Sequence, residues 1–532
     1  MAIIPKVDGK RVYKNYKKAS DGPWDVIVIG TGIGGMSCAS ALAQHGRKVL
    51  LLERHYIPGG FTHMFSREGF DWDVGVHAMG EMAPGDLPAR MLDWLSGGHV
   101  EMLSLGDLYD RFRFHDGDEV GLPGSSEAYV AMLKARFPDQ GDRIDRYIKT
   151  VKRAAIYSRA FFLFKSLPQW MERIGNRFVH LFSDNYWAKT TGEVFDGLGI
   201  QGKLRTVLSL HWGYYGSVPS ESSFTIHALT HVHFWSGGFY PAKGARVFAE
   251  GMLNQVIEAG GEVLCKAEVS GLLMEGETAV GVTLADGTEF RAPVVVSAAG
   301  AKTTVGAIVP EAYRHTDWGK SILSVPDSPS YICLNLGFEG DIETGGGASA
   351  NLWLFNTWDS EKQLWDVANP DEQPHILYVS FPSLKDPHHD PGPKLRQTGE
   401  CVTFVPWDLF SRWEESRRLD RPEAYTAIKE EIEARILAEL QERIPDVMDK
   451  LVFSELSSPL TAQHFCNASQ GAIYGLQASP QRFTNPHLRS RTPIKRFYMT
   501  GVDIASLGVV GGMTSGVLTA ATIDPRVYRK LL

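Results

Sequence analysis

Two hydrophobic periodicities alternate along the chain. Val26-Ile27-Val28-Ile29 is a short β-branched run, as a strand buried on both faces of a parallel sheet needs. A helical pattern follows through Met36, Ala39, Leu42 and Ala43 and stops at His45-Gly46. A second apolar run, Val49-Leu50-Leu51-Leu52, ends at Glu53. Strands are also predicted around turns at Gly276 and Asp286-Gly287, and over 294–298. Ala424, Ile428, Ile432, Ile436 and Leu440 recur every four residues and predict a helix over 422–443. Asp420 is its expected cap, with Glu423 three residues on, and Glu430, Glu431 and Glu433 are expected on a solvated face. The longest uncharged run, 504–523, has the length of a membrane span. Gly508, Gly511, Gly512 and Gly516 break it, so it reads as a buried segment of a soluble fold.

The junction after the first strand carries the most chemistry. Gly30, Gly32 and Gly35 fit GxGxxG between a strand and a helix. Gly30 permits the tight turn, Gly32 lets a pyrophosphate approach the backbone, and Gly35 lets helix and strand pack closely. The helix N-terminus then meets phosphate with free N–H groups and a positive dipole end. Glu53, 23 residues past Gly30, stands where an acid bonds the adenosine ribose hydroxyls. An acid there disfavours a 2′-phosphate and leaves FAD or NAD. Pro58-Gly59-Gly60 follows at once, a second glycine turn that suits backbone passing over an extended flavin chain.

These blocks, with others downstream, resemble the FAD-dependent oxidoreductases that include bacterial phytoene desaturases, carotenoid isomerases and retinol saturases. Asp73-Val74-Gly75-Val76-His77 is similar to the saturase-like D-x-G-x-H stretch, and Gly237 to Ala245 to GG-x-x-P-x-GG, with Ala245 replacing the last glycine. Gly471 to Gly475, Tyr498 to Asp503 and Gly508 to Gly516 resemble the second FAD contact. The resemblance implies an α/β fold: a Rossmann-type FAD-binding domain, glutathione-reductase-like or amine-oxidase-like, with an inserted α+β substrate domain. The cofactor domain is expected at 24–84, 237–305 and 470–532, the substrate domain at 85–236 and 306–469, and a basic arm at 1–23. Cofactor roles are implied for Gly30, Gly32, Gly34, Gly35, Glu53, Arg54, Gly59, Gly60, Val269, Gly501, Asp503, Gly511, Gly512 and Met513. Val269 would meet the adenine through its backbone, Asp503 would bond the ribityl or pyrophosphate end, and the helix start at Gly511–Gly516 would face the isoalloxazine.

Composition refines this picture. The 532 residues include 54 glycines, about 10% against a usual ~7%. Much of that excess falls in the blocks above and reads as a backbone footprint of the cofactor. The net charge of −8 offers no field for nucleic acid. The arm carries Lys6, Lys10, Arg11, Lys14, Lys17 and Lys18 and reads as solvated, with anionic lipid headgroups as the sharper alternative. Five cysteines without CxxC spacing argue for a reducing, cytoplasmic setting, against disulfides and against a zinc site. Aromatics crowd two stretches, Phe161 to Trp187 (including Trp170, Phe178 and Phe182) and Trp212 to Tyr240, and suggest a long apolar channel for a lipid. Lys165, Arg173 and Arg177 among the first set fit an amphipathic helix on a membrane surface as well as they fit a core helix, which makes the chain cytoplasmic with peripheral membrane contact as an option. Nothing in the sequence sets an oligomeric state.

The chemistry expected is hydride exchange at flavin N5 with a C–C or C=C bond of a carotenoid, retinoid or fatty-acyl chain. Saturation, desaturation and isomerisation all fit. Proton-transfer candidates are His77, Tyr214, Tyr215, His464 and Tyr474, with His77 first and Tyr214 and Tyr474 behind it. His211, His227, His231 and His233 cluster without an Asp or Cys spaced to complete a metal site, so no metal is expected. No second complete GxGxxG follows, so a quinone, oxygen, a partner protein or a transiently bound NAD(P) is left as the electron partner. The rival readings are an amine-oxidase-type flavoenzyme and a non-catalytic, FAD-stabilised lipid carrier.

Overall fold

The computed structural model describes residues 3–167, 171, 175 and 184–530. Two sheets organise them. The first has six parallel strands in the order Phe497–Met499, Val295–Ser297, Val26–Ile29, Val49–Glu53, Glu262–Cys265 and Lys14–Asn15. Val26–Ile29 lies in the middle and is buried at every position, which its unbroken apolar run requires. The helix Ile33–Ala43 packs on the sheet and is buried along its whole length. The turns at Gly276 and Asp286-Gly287 join three antiparallel strands, Val269–Glu275, Thr278–Leu284 and Glu289–Arg291.

The second sheet has seven strands in the order Glu119–Pro123, Leu108–Phe114, Asn351–Phe355, Ile376–Ser380, Arg396–Val405, Ser330–Glu339 and Leu451–Ser457. All its pairs are antiparallel except Leu108–Phe114 with Asn351–Phe355. One face turns toward the open ends of the parallel strands, and the other is covered by the helix Glu423–Arg443 through Ile432, Ile436 and Leu440.

Four expectations need correction. The basic arm is not simply solvated: Lys14–Asn15 adds the edge strand, Val12 is 2% exposed, and Lys14 Nζ pairs with Glu262 Oε1 at 2.6 Å. The flanking lysines had hidden one inward-facing valine. The long helix begins at Glu423, with Pro422 in an extended conformation as its N-cap residue, so Asp420 stands too far upstream to cap it. Glu433, expected in solvent, is half-buried and accepts from the Ser454 hydroxyl. The glycine-rich helix runs from Gly508 to Ile523, starting before Gly511.

Two of that helix's four glycines, Gly512 and Gly516, serve helix packing rather than a ring. A Cβ on Gly516 would stand 2.5 Å from the Gly34 carbonyl oxygen, and one on Gly512 2.7 Å from Ile33 Cγ2. The closing helix therefore crosses the first one nearly backbone to backbone. Among the described residues no helix is long and apolar enough to cross a membrane. The proposed amphipathic stretch ends its described part in the helix Gly141–Ser166, where Phe161 and Phe162 are buried and Lys165 Nζ donates to the carbonyls of Phe483 and Leu488. Trp170, Arg173, Arg177, Phe178 and Phe182 lie outside the described residues.

Candidate active site

A cavity of about 1080 Å³ opens at the carboxyl ends of the parallel strands and continues under the second sheet. That is where ligands bind in open α/β sheets. Ile29-Gly30, Leu52-Glu53, Ala298 to Gly300 and Gly501 all reach it as their strands end. Gly32 is the N-cap of the first helix and provides no side-chain cap, so the helix presents its free N–H groups there. A Cβ on Gly32 or Gly501 would meet no protein atom within 4 Å and would project into the open space. Gly60, at φ +55°, closes over Gly32 with its own Cβ position 3.1 Å from Gly32 Cα. The result is a backbone cradle that any side chain would fill.

Carboxylates frame the cradle. Glu53 accepts from Thr31 N at 2.9 Å, Thr31 Oγ1 at 2.6 Å and His55 N at 2.8 Å, which fixes it at the rim with lone pairs to spare. Arg54 also lines the cavity and donates to the His464 carbonyl at 2.8 Å. Asp503 is 6% exposed and ties three segments together, accepting from Ala301 N at 2.8 Å and Leu476 N at 2.9 Å. Val269 lines the cavity at the start of its strand. Gly34 and Gly511 reach it as well. Gly35, Gly59, Gly512 and Met513 do not. Gly35 presses on the Gly30 carbonyl, Gly59 turns the chain at φ +125°, Gly512 packs on Ile33, and Met513 is wholly buried among core residues.

The far half of the cavity is aromatic. Tyr331, Trp353, Tyr378 and Phe404 point into it from one face of the second sheet, and Tyr214 and Tyr474 close it from facing loops. The register explains the wall. Phe112, Trp353, Tyr378 and Val402 are successive cross-strand partners, with Cys333 next in the row. One step along the same face the row turns polar: Asp110 opposes Asn351, and Ser380, Glu400 and Asn335 oppose in turn. Lys385 caps this polar row from the loop beyond Ser380. Its Nζ donates to Asn351 Oδ1 at 2.6 Å, Ser380 Oγ at 2.7 Å and the His77 carbonyl at 2.6 Å.

The proton-transfer candidates separate clearly. His77 lines the cavity with Nδ1 2.7 Å from Glu400 Oε2, close enough for an ion pair but too poorly aligned for a hydrogen bond. Tyr214 lines the cavity too and donates to Asp110 Oδ1 at 2.8 Å and Oδ2 at 3.0 Å. Burial, and then the Asp110 charge, hold its phenol well above the ordinary range. Tyr474 Oη is committed to the Gly213 carbonyl at 3.0 Å, and Tyr215 Oη to His227 Nδ1 at 3.1 Å. His464 is exposed and does not line the cavity, so it leaves the set. The four clustered histidines find other partners: His211 meets Tyr109 Oη at 2.7 Å, His227 meets Tyr147 Oη at 2.8 Å, His231 Nε2 meets the Leu208 carbonyl at 3.1 Å, and His233 receives Gly80 N at 2.7 Å.

Sequence reasoning missed the buried charges. Burial raises Asp110 to about 6, opposed by hydrogen bonds from Asn351 and Tyr214. Burial and the Glu400 charge raise Asp73, which Tyr240 and Ala245 N bind, to about 6. Burial lowers Lys385 to about 7, against the attraction of Glu400, Asp110 and Asp73. The one available signal was Asp110 and Glu400 standing inside apolar strand sequences.

Comparison with known proteins places the chain. Residues 28–93 match the NAD(P)-binding Rossmann-like domain. An all-trans-retinol 13,14-reductase from Danio rerio is 30% identical over 524 residues, covering 94% of this chain and 85% of that protein. A chloroplastic prolycopene isomerase from Arabidopsis thaliana is 23% identical over 539 residues, covering 98% and 86%. The solved cyclohexylamine oxidase from Brevibacterium oxydans superimposes with a TM-score of 0.58 at 17% identity, covering 96% of this chain and 100% of that one, which shows a shared fold. With the cradle and the aromatic chamber opening into each other, the chain belongs to the flavin-dependent oxidoreductase family of the retinol 13,14-reductases and carotenoid isomerases.

Proposed function

We propose that this protein is an FAD-dependent oxidoreductase acting on C–C or C=C bonds of a retinoid, a carotenoid or another long polyene or fatty-acyl chain. The observation that carries the reading is the continuity of a glycine-walled cradle with a large aromatic chamber in a single cavity. Gly30, Gly32, Gly34, Gly60, Glu53, Arg54 and Val269 would hold the nucleotide end, and Gly501, Asp503 and Gly511 the flavin end. When bound, the flavin supplies hydride exchange. The chain's own residues supply the rest: aromatic rings that keep a polyene flat and water out, and side chains that hold a proton near the reacting carbons. An amine substrate fits less well, because the cavity wall is aromatic and Asp110 beneath it is already held by Tyr214 and Asn351. NAD(P) or a quinone would serve as a transient electron partner, and a peripheral membrane contact would suit delivery of so apolar a substrate.

The test is anaerobic incubation of the flavin-loaded protein with retinol, carotenoids and unsaturated fatty acids, following flavin absorbance and product mass together. The expected result is flavin oxidation or reduction coupled to a product that gains or loses one hydrogen molecule, or to an isomer of unchanged mass. A purified protein that binds no flavin, or a flavin that no lipid perturbs, would overturn the reading.

A further inference from the structure

The buried charges beneath the aromatic wall are unusual. Asp110 and Glu400 are both 0% exposed and Lys385 is 4% exposed, inside one face of a sheet whose next row is largely aromatic. Burying a charge costs several kcal/mol unless it is paired, so such a group needs a reason. Three facts of geometry give one. Tyr214 lines the cavity and donates its hydroxyl to Asp110, which makes it the cavity-lining partner of Asp110 with an ionisable proton. Asn351 bridges: its Nδ2 donates to Asp110 Oδ1 at 2.8 Å while its Oδ1 accepts from Lys385 Nζ at 2.6 Å. Lys385 in turn holds the His77 backbone at 2.6 Å, so one ammonium sets the position of the loop and of the row.

We propose that Tyr214 and Asp110 form the proton-transfer pair of this cavity, and that Lys385, acting through Asn351, is the positioning residue that sets the charge on Asp110. The inference rests on the lipid oxidoreductase reading and assigns the proton half of that reaction. In the saturating direction the flavin, when bound, would supply a hydride to one carbon of the double bond. The π electron pair of the same bond then forms the second C–H bond with the Tyr214 hydroxyl proton. Tyr214 is refilled by the Asp110 carboxyl proton, which leaves an Asp110 carboxylate held by Asn351 and Lys385. In the desaturating direction every transfer reverses, and the hydrogen bond now seen from Tyr214 to Asp110 is its starting point. His77 is left with a different task, because its Nδ1 lies 2.7 Å from Glu400 Oε2. The titratable groups facing Asp110 are Tyr109 beside it, Tyr214 and Tyr378 across the wall, and Lys385, behind which stand Glu400, Asp73 and His77.

Two measurements test this. In solvent deuterium, Tyr214→Phe with flavin bound should lose about 100-fold or more in turnover and in deuterium uptake at the protonated carbon, as removal of a general acid predicts. For a saturating reaction the wild-type rate should fall as pH rises through about 6, Asp110→Asn should lose that limb, and Lys385→Met should move it to higher pH. A desaturating reaction inverts the limb and keeps the shift. Full turnover and full deuterium uptake in Tyr214→Phe would overturn the proposal. The second measurement needs no substrate. The infrared difference between wild type and Asp110→Asn should show one protonated carboxyl that titrates near 6, moving upward in Lys385→Met. No such band between about pH 4 and 8 would also overturn it. A wild type inert toward every lipid, with this band intact, would instead mean that the lipid reading had failed.

Discussion

Asp73 shows how one side chain joins two distant blocks. It accepts from the Tyr240 hydroxyl and from Ala245 N at 2.8 Å, so the stretch before His77 is locked to the Gly237–Ala245 turn. Its carboxyl sits above the ordinary range, at about 6, chiefly because it is buried. A carboxyl raised in the folded state binds more protons there than when unfolded, so stability falls as pH rises from about 4 to about 6. Asp73→Asn should remove this slope, a change of roughly 3 kcal/mol between urea melts at pH 4 and pH 7. Tyr240→Phe should cost about 1–3 kcal/mol at neutral pH by leaving a buried acceptor short of a partner. Residues such as Gly32, Glu53 and His77 were legible in the sequence because their chemistry is local. Asp110, Asn351, Ser380 and Glu400 were not, because they become neighbours only through strand register, which no local pattern states.

At the scale of elements, the two glycine helices make the sharpest claim. Gly516 and Gly512 let the helix Gly508–Ile523 lie against Ile33–Ala43, so the segment read as a flavin contact also fastens the first helix in place. Gly516→Ala should push the helices apart and cost about 1–3 kcal/mol in a thermal or urea melt, with weaker flavin retention. The sequence showed the glycines, but a glycine against a ligand and a glycine against a helix leave the same mark in composition. The arm teaches the same lesson from the polar side. Val12→Asp should cost several kcal/mol because it places an unpaired charge under the sheet edge. Lys14→Ala should cost less than about 1 kcal/mol, since its ion pair with Glu262 is partly exposed. Equal, negligible effects of both in a urea melt would return the arm to solvent.

For the molecule as a whole, the histidine cluster sets the acid limit. Burial, and then neighbouring histidines, hold His211 and His227 well below the ordinary imidazole range, and burial lowers His231 to about 4. Each stays neutral when folded and takes a proton when unfolded, so stability falls as pH drops below about 6.5. This opposes the raised carboxyls Asp73, Asp110, Glu221 and Asp327, but His55, His63, His375 and His464 are lowered as well, so the imidazoles outnumber the acids. Acid unfolding should therefore begin below about pH 6.5, and His231→Gln should move its midpoint downward. The parallel sheet gives the cavity a further property. Gly34 at the nucleotide turn rests directly on Gly501 and Gly512, yet the turn is synthesised long before them. A nascent chain emerging from the ribosome thus carries a cofactor motif with a missing wall. If residues 497–516 wall the flavin as proposed, capture waits until they have folded back onto the turn, and truncated or stalled chains should leave the ribosome colourless.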